Sequence, residues 1–184
     1  IPGNDSIFKN VKKIAPGNWC KVDIESKSTT YQNYYSLQSN LQEVKPIQSF
    51  DECKAALRKS LISSVEKRMT SDVPLGSFLS GGIDSTIIAS IASGFTDKLK
   101  TFSIGFTDDP QYDETVYAEI AAKKIGTEHH TFRLNNDDLL NNLFGALDYL
   151  DEPFGDSSAL NVFILSRQTR KHVTVALSGD GADE

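Results

Sequence analysis

The chain has 184 residues, 39% of them hydrophobic, with 19 Lys and Arg against 25 Asp and Glu and a net charge of −6. That length and apolar share suit one compact domain, or one domain with a short appendage, and exclude intrinsic disorder, collagen and coiled coil. The acidic balance offers no basic field for a phosphodiester backbone, and no apolar run approaches the ~20 residues of a bilayer span, so neither nucleic acid nor membrane is an expected partner.

The opening residues Ile1-Pro2-Gly3-Asn4-Asp5 carry neither the basic nor the apolar region of a secretory signal, and no initiator Met precedes them. An internal stretch of a cytoplasmic protein is expected. Cys20 and Cys53 lack CxxC spacing and nearby ligand histidines, which predicts reduced thiols rather than a zinc site or a disulfide.

Residues 1–45 read as short β and turn segments. Pro16-Gly17-Asn18 turns into Trp19–Ile24, where Cys20, Val22 and Ile24 alternate as in a half-buried strand. Val44-Lys45-Pro46 closes this region, and a boundary is expected near residue 46. From Ser49 the period changes: Ser49-x-x-Glu52 is a capping box, and Phe50, Cys53, Leu57, Leu61, Val65 and Met69 mark one face of a long helix ending near Thr70.

Strand Pro74–Leu79, a tight loop, and helix Ser85–Ser93 with Gly94 as its cap come next. The alternation continues with strand Leu99–Phe106, helix Asp113–Ile125 closed by Gly126, strand Glu128–Leu134, helices Asp137–Leu150 and Ala159–His172, and strand Val173–Leu177. Strands alternating with helices predict an α/β fold with a parallel sheet and helices on both faces. Ligands of such sheets bind at the carboxyl ends of the strands. His129 and His130, adjacent on a strand, should face opposite ways and cannot share a metal.

One of those ends carries Ser80-Gly81-Gly82-Ile83-Asp84-Ser85. Gly81 and Gly82 let the backbone turn sharply, so that successive N–H groups and the helix dipole converge on an anion, and the Ser80 and Ser85 hydroxyls add donors. Asp84 would repel a phosphate unless a cation lay between them, which implies Mg²⁺. The Walker A spacing and lysine are absent, which disfavours a kinase or GTPase. A second loop, Ser178-Gly179-Asp180-Gly181-Ala182-Asp183-Glu184, opens on the same edge with carboxylates suited to a metal contact or a substrate ammonium. Asp113-Glu114 is read as a helix cap.

The first loop resembles the pyrophosphate loop of the ATP pyrophosphatases. Joined with Phe102-Ser103-Ile104-Gly105-Phe106, Asp151-Glu152-Pro153-Phe154 and Ser178–Glu184, in family order, it is similar to glutamine-hydrolysing asparagine synthetases from about Gln48 to Glu184. Phe8–Gly17 resembles the last part of that family's glutaminase domain. The resemblance implies an adenine-nucleotide alpha-hydrolase-like sheet over 46–184, preceded over 1–45 by a β-rich glutaminase remnant and linker. It also implies adenylation of the aspartate side chain by ATP, release of pyrophosphate, and displacement of AMP by ammonia derived from glutamine.

By the same resemblance, Asp84 and Asp183 would hold Mg²⁺ and pyrophosphate together with Ser80, Gly81, Gly82 and Ser85. Phe78, Leu79, Ile104, Ser178 and Gly179 would meet the adenosine of ATP, and Asp180 would be the catalytic residue near aspartate. The family's amino-terminal cysteine nucleophile has no counterpart here, so glutamine hydrolysis is not expected, and the helical half supplying the family's catalytic lysine is expected beyond Glu184. A related synthetase acting on another carboxylate and a non-catalytic nucleotide-binding module stand as alternatives. A homodimer is left open.

Overall fold

The computed structural model describes residues 3–43, 49–108, 110–152 and 155–181. They divide into two compact units, one of Ile1–Glu52 with Leu150–Gly155 and one of Cys53–Tyr149 with Asp156–Glu184. The boundary expected near residue 46 lies outside the described residues.

The first unit carries strands β1 (Asn18–Asp23) and β2 (Ser28–Asn33), paired antiparallel with Asn18 opposite Asn33 and Asp23 opposite Ser28, then helix α1 (Leu37–Glu43). Asp23 closes the hairpin: its Oδ1 accepts from the Ser26 amide and hydroxyl, each at 2.7 Å. The expected half-buried strand is only partly realised. Cys20 is shielded, but Val22 and Ile24 are 62% and 87% exposed, because a hairpin buries a face only when another layer packs on it. Elsewhere in this unit Lys13 Nζ donates to Glu152 Oε1 at 2.9 Å.

The second unit follows the predicted alternation: α2 (Phe50–Met69, whose first turn belongs to the first unit), β3 (Leu75–Phe78), α3 (Ile83–Ser93), β4 (Lys100–Phe106), α4 (Thr115–Ile125), β5 (Glu128–Leu134), α5 (Asn136–Leu147), α6 (Ser158–Thr169) and β6 (Val175–Leu177). The strands lie in the order β5-β4-β3-β6, all parallel. Half of the expected capping box is present at α2, where the Glu52 amide donates to Ser49 Oγ at 3.1 Å. Gly126 ends α4 in the left-handed conformation, φ 86°, whereas Gly94 ends α3 with an ordinary φ of −74°.

The period-two alternation of the strands sorts their side chains onto two layers. Leu79, Leu99 and Leu177 point to one face, against Val65 of α2, Ala89 and Ala92 of α3 and Ala118 and Ala122 of α4. The alanines let these helices come close to the sheet. Phe78, Phe102, Ile104 and Phe132 point to the other face, where Leu165 of α6 and Val173 cover them, and α5 packs on α6. Helices thus cover both faces.

The histidines separate as expected. His129 bonds to Thr101 Oγ1 at 2.9 Å and to Ser103 Oγ at 3.1 Å, while His130 stacks on Phe102 with ring centroids 5.3 Å apart and meets His172 at 4.3 Å. Desolvation, followed by the charges of His130 and Lys100, holds His172 below its ordinary value of 6.5. A histidine depressed in the folded state binds protons more readily when unfolded, so stability is kept above that ordinary value and declines as pH falls from it toward the lowered one. Melting temperature is therefore expected to drop below about pH 6.5, and His172→Phe to flatten that dependence in a pH series of thermal unfolding curves. Phe102→Ala, at a fully buried position, is expected to cost about 3–5 kcal/mol in denaturant unfolding.

Candidate functional site

Because all four strands run in parallel, the segments following them open on a single edge of the sheet. β3 runs into the first glycine loop at this edge, and its central place between β4 and β6 puts that loop beside the one following β6. The Leu79 amide donates to Phe102 O at 2.8 Å, so β3 stays tied to β4 up to the start of the turn.

Gly81 sits at φ +87°, a conformation that side chains oppose. It also lies directly against the first turn of α4: a Cβ at this position would stand 2.5 Å from the Ala118 amide nitrogen and 2.5 Å from the Tyr117 carbonyl carbon. Gly82 differs. It has an ordinary φ of −66° and serves as the N-cap of α3, and a Cβ there would meet only Ser80 Oγ, at 3.3 Å. The sharp turn that the sequence assigns to both glycines thus depends on Gly81.

Hydroxyls hold the loop closed. Ser80 Oγ and Ser85 Oγ lie 2.9 Å apart, the Ser80 amide donates to Ser85 Oγ at 3.2 Å, and the Gly82 amide donates to Ser80 Oγ at 3.2 Å. No side chain caps α3. Its first-turn N–H groups have no partners within the helix, so the loop presents donors and the positive end of a dipole at the sheet edge, as an anion site requires. Asp84 lies in that first turn, half-buried.

The second loop is seated on the first. A Cβ on Gly179 would stand 2.8 Å from the Ser85 amide nitrogen and 3.0 Å from the Asp84 carbonyl carbon, so only glycine lets β6 deliver its loop onto the start of α3. Ser178 Oγ donates to Asp180 Oδ2 at 3.0 Å and accepts from the Asp180 amide at 3.3 Å, which fixes Asp180 next to this contact. Asp183 lies outside the described residues.

On the α6 side, a pocket of about 190 Å³ is lined by Phe78, Leu79 and Ser80 from β3 and its loop, by Ile104 from β4, by Glu114, and by Leu165. The structure therefore brings Phe78, Leu79, Ser80 and Ile104 together in one apolar recess that opens beside the loop. Ser80 joins this recess to the loop of Gly81, Gly82, Asp84 and Ser85, on which Gly179 rests, while Ser178, Gly179 and Asp180 line a separate hollow of about 460 Å³ beside Arg68 of α2 and Ile88 of α3.

Asp113 and Glu114, read from sequence as a helix cap, have separate roles. Asp113 Oδ1 accepts from the Thr115 amide at 3.0 Å and the Thr115 hydroxyl at 2.6 Å, and Oδ2 accepts from Arg133 Nη1 at 2.8 Å. The Thr115 hydroxyl and amide, and then Arg133, hold its carboxyl below the usual carboxylate range against the opposing effect of desolvation. Glu114 occupies the N-cap position of α4 without a side-chain cap and instead lines the recess. Glu114 follows β4 by way of a short helical turn, Pro110–Tyr112, and so comes to the sheet edge at which ligands of parallel sheets bind.

The residues at hand suit a magnesium nucleotide. Among the described residues no cluster of three or more His, Cys, Asp or Glu gathers around a point. Asp84 would be the carboxylate that the described residues offer to the cation, with phosphate oxygens and water among its other ligands, as Mg²⁺ prefers.

The asparagine synthase family matches residues 56–184, and the chain belongs to that family. Over its whole length it is 35% identical to asparagine synthetase [glutamine-hydrolyzing] 1 of Bacillus subtilis (strain 168) and covers 28% of that protein. It is 38% identical to the putative asparagine synthetase [glutamine-hydrolyzing] 2 of Methanocaldococcus jannaschii, again over its whole length, and covers 35% of it. The chain thus spans about a third of these curated relatives. Among solved structures, an NMN synthetase from Francisella tularensis is similar at a TM-score of 0.48 and 17% identity, covering 74% of this chain and 56% of that one.

Gly81→Ala is expected to destabilise the chain by about 1–2 kcal/mol from its backbone conformation alone, and further through the clash with Tyr117 and Ala118. Gly82→Ala should change the melting temperature by much less. Thermal unfolding of the two variants side by side checks the difference.

Proposed function

We infer that this chain supplies the ATP site of an amide-forming synthetase. One observation carries the reading: Gly179 rests on the first turn of α3 beside the left-handed turn of Gly81, so two glycine loops and the carboxylates of Asp84 and Asp180 share one edge. Family membership supports it. ATP, when bound, supplies an adenylyl group to an acceptor carboxylate with loss of pyrophosphate, after which ammonia displaces AMP to leave the amide.

The roles of the chain's own residues follow from their chemistry. The N–H groups at Gly81, Gly82 and the start of α3, with the hydroxyls of Ser80 and Ser85, grip the departing pyrophosphate, whose negative charge grows in the transition state. Asp84, with Asp183, would hold Mg²⁺, and the ion would offset that charge. Phe78 and Ile104, beside Leu79 in the lining, form an apolar recess for the adenine, and the backbone at Ser178 and Gly179 closes on the nucleotide from the β6 side. Asp180 faces the acceptor, and its carboxylate suits the ammonium of an amino acid.

Aspartate is the acceptor and asparagine the product of the reading that the relatives' names favour. In this reading, residues 1–45 are the end of a glutaminase domain that delivers ammonia, 46–184 begin the ATP-binding domain, and the protein works in the cytoplasm on small-molecule substrates. A relative that amidates another carboxylate would use the same nucleotide site.

Calorimetric titration of the chain with ATP, with and without Mg²⁺, tests the site. Metal-dependent binding is expected, and Asp84→Ala should remove the metal dependence while weakening affinity about tenfold. Identical titration curves for the wild type with and without Mg²⁺ would rule out the role of Asp84. Aspartate-dependent AMP formation by the full-length protein, compared across a panel of carboxylic acids, decides the acceptor.

A further inference from the structure

The phosphate loop does not hold its shape unaided. Gly81 is left-handed against the backbone of Tyr117 and Ala118, so the position of α4's first turn defines the space available to it. That turn is fixed at its base by Asp113. Besides the two bonds to Thr115 and the one to Arg133, Arg133 Nη2 donates to Thr115 Oγ1 at 3.3 Å, closing a ring of polar contacts around a threonine that is 1% exposed. The ring is pressed onto β4 at Gly105, where a Cβ would stand 2.5 Å from Thr115 Cγ2 and 2.6 Å from Asp113 Oδ1.

The contacts therefore run without a gap from Arg133 on β5, through Asp113 and Thr115, to the start of α4, and from Tyr117 and Ala118 to Gly81. We propose that Asp113 and Arg133 are positioning residues for the phosphate loop: their ion pair seats the first turn of α4 on Gly105, and the seated turn forms the wall against which Gly81 aims its neighbouring amides at the anion. Neither residue touches the nucleotide. The inference rests on the reading of the loop as an ATP site, but the geometry of Gly81 can be followed without any ligand.

A small displacement is enough to matter, since donors aimed at developing charge lose their effect when misplaced by about an ångström. Replacing Asp113 removes the seat while leaving every residue of the loop intact. Replacing it by Asn keeps an oxygen that accepts from Thr115 and loses both the charge and the acceptor facing Arg133.

The test combines amide NMR spectra of the ligand-free chain with titration of ATP in the presence of Mg²⁺. In Asp113→Ala the Gly81 and Gly82 amide signals are expected to shift and ATP affinity to fall about tenfold, while the signals of α5, on the opposite face of the sheet, stay in place. Asp113→Asn, which keeps the bonds from Thr115 but loses the ion pair with Arg133, should move the same signals in the same direction by less. A folded Asp113→Ala chain whose Gly81 and Gly82 signals do not move overturns the proposal. Should that variant fail to fold, Arg133→Met, which leaves the bonds between Asp113 and Thr115 intact, is read in its place. A shift of the Gly81 signal then supports the positioning role, and an unmoved signal overturns it. If the wild-type chain does not bind ATP, the reading of the site falls, while the Gly81 signal still decides whether Asp113 positions the loop.

Discussion

A backbone running against a backbone is the constraint on which the rest of the site depends. Where Gly81 meets the Tyr117–Ala118 peptide there is no room for a single methyl group, and the chain turns there through a conformation that L side chains resist. From that turn follow the direction in which α3 starts, the outward aim of its uncapped amides, and the place where Asp84 comes to lie. The sheet contributes by holding β3 between two neighbours, so that the turn begins from a fixed point.

Around this turn the fold uses contact more than side-chain chemistry. Gly179 against Ser85 and Gly105 against Thr115 repeat the same device at the ends of β6 and β4. Three segments far apart in sequence reach one edge because each yields its side chain where the next must pass. Such an edge is stiff: it can move only if several elements move together, because protein interiors are packed too closely to deform by degrees. Stiffness suits donors that must already be aimed before charge develops.

Much of this was legible in the sequence because period and punctuation agree there. The spacing from Phe50 to Met69 gives α2 almost to the residue, and β5 runs from Glu128 to Leu134 as its pattern indicates. The loop residues are equally plain, since Ser80–Ser85 stands between an apolar strand and an apolar helix. Which of its two glycines carries the turn was not legible. That depends on α4, and a string of residues does not say which backbone will pass within van der Waals distance of which glycine. Asp113 does cap the start of α4 as its place indicates, through the Thr115 amide, but adjacent acids before a helix look alike locally, and only Arg133 and the recess beside Leu165 tell it apart from Glu114. At Val22 and Ile24 alternation promised a covered face, but period two records only that one face is apolar.

The order of the strands leaves β5 and β6 at the two margins of the four-stranded sheet, and an unpaired margin invites another chain to add a strand. The two are protected by different means. β6 is three residues long, too short to offer a useful ladder. β5 is seven residues long but bears charge near both ends, Glu128 in an ion pair with Lys98 at 3.1 Å and Arg133 with Asp113 at 2.8 Å. An incoming strand would have to strip water from those charges without repaying them. Arg133 thus guards a margin of the sheet as well as bracing α4, and a substitution made there to probe the loop would also leave β5 more open to pairing with a second molecule.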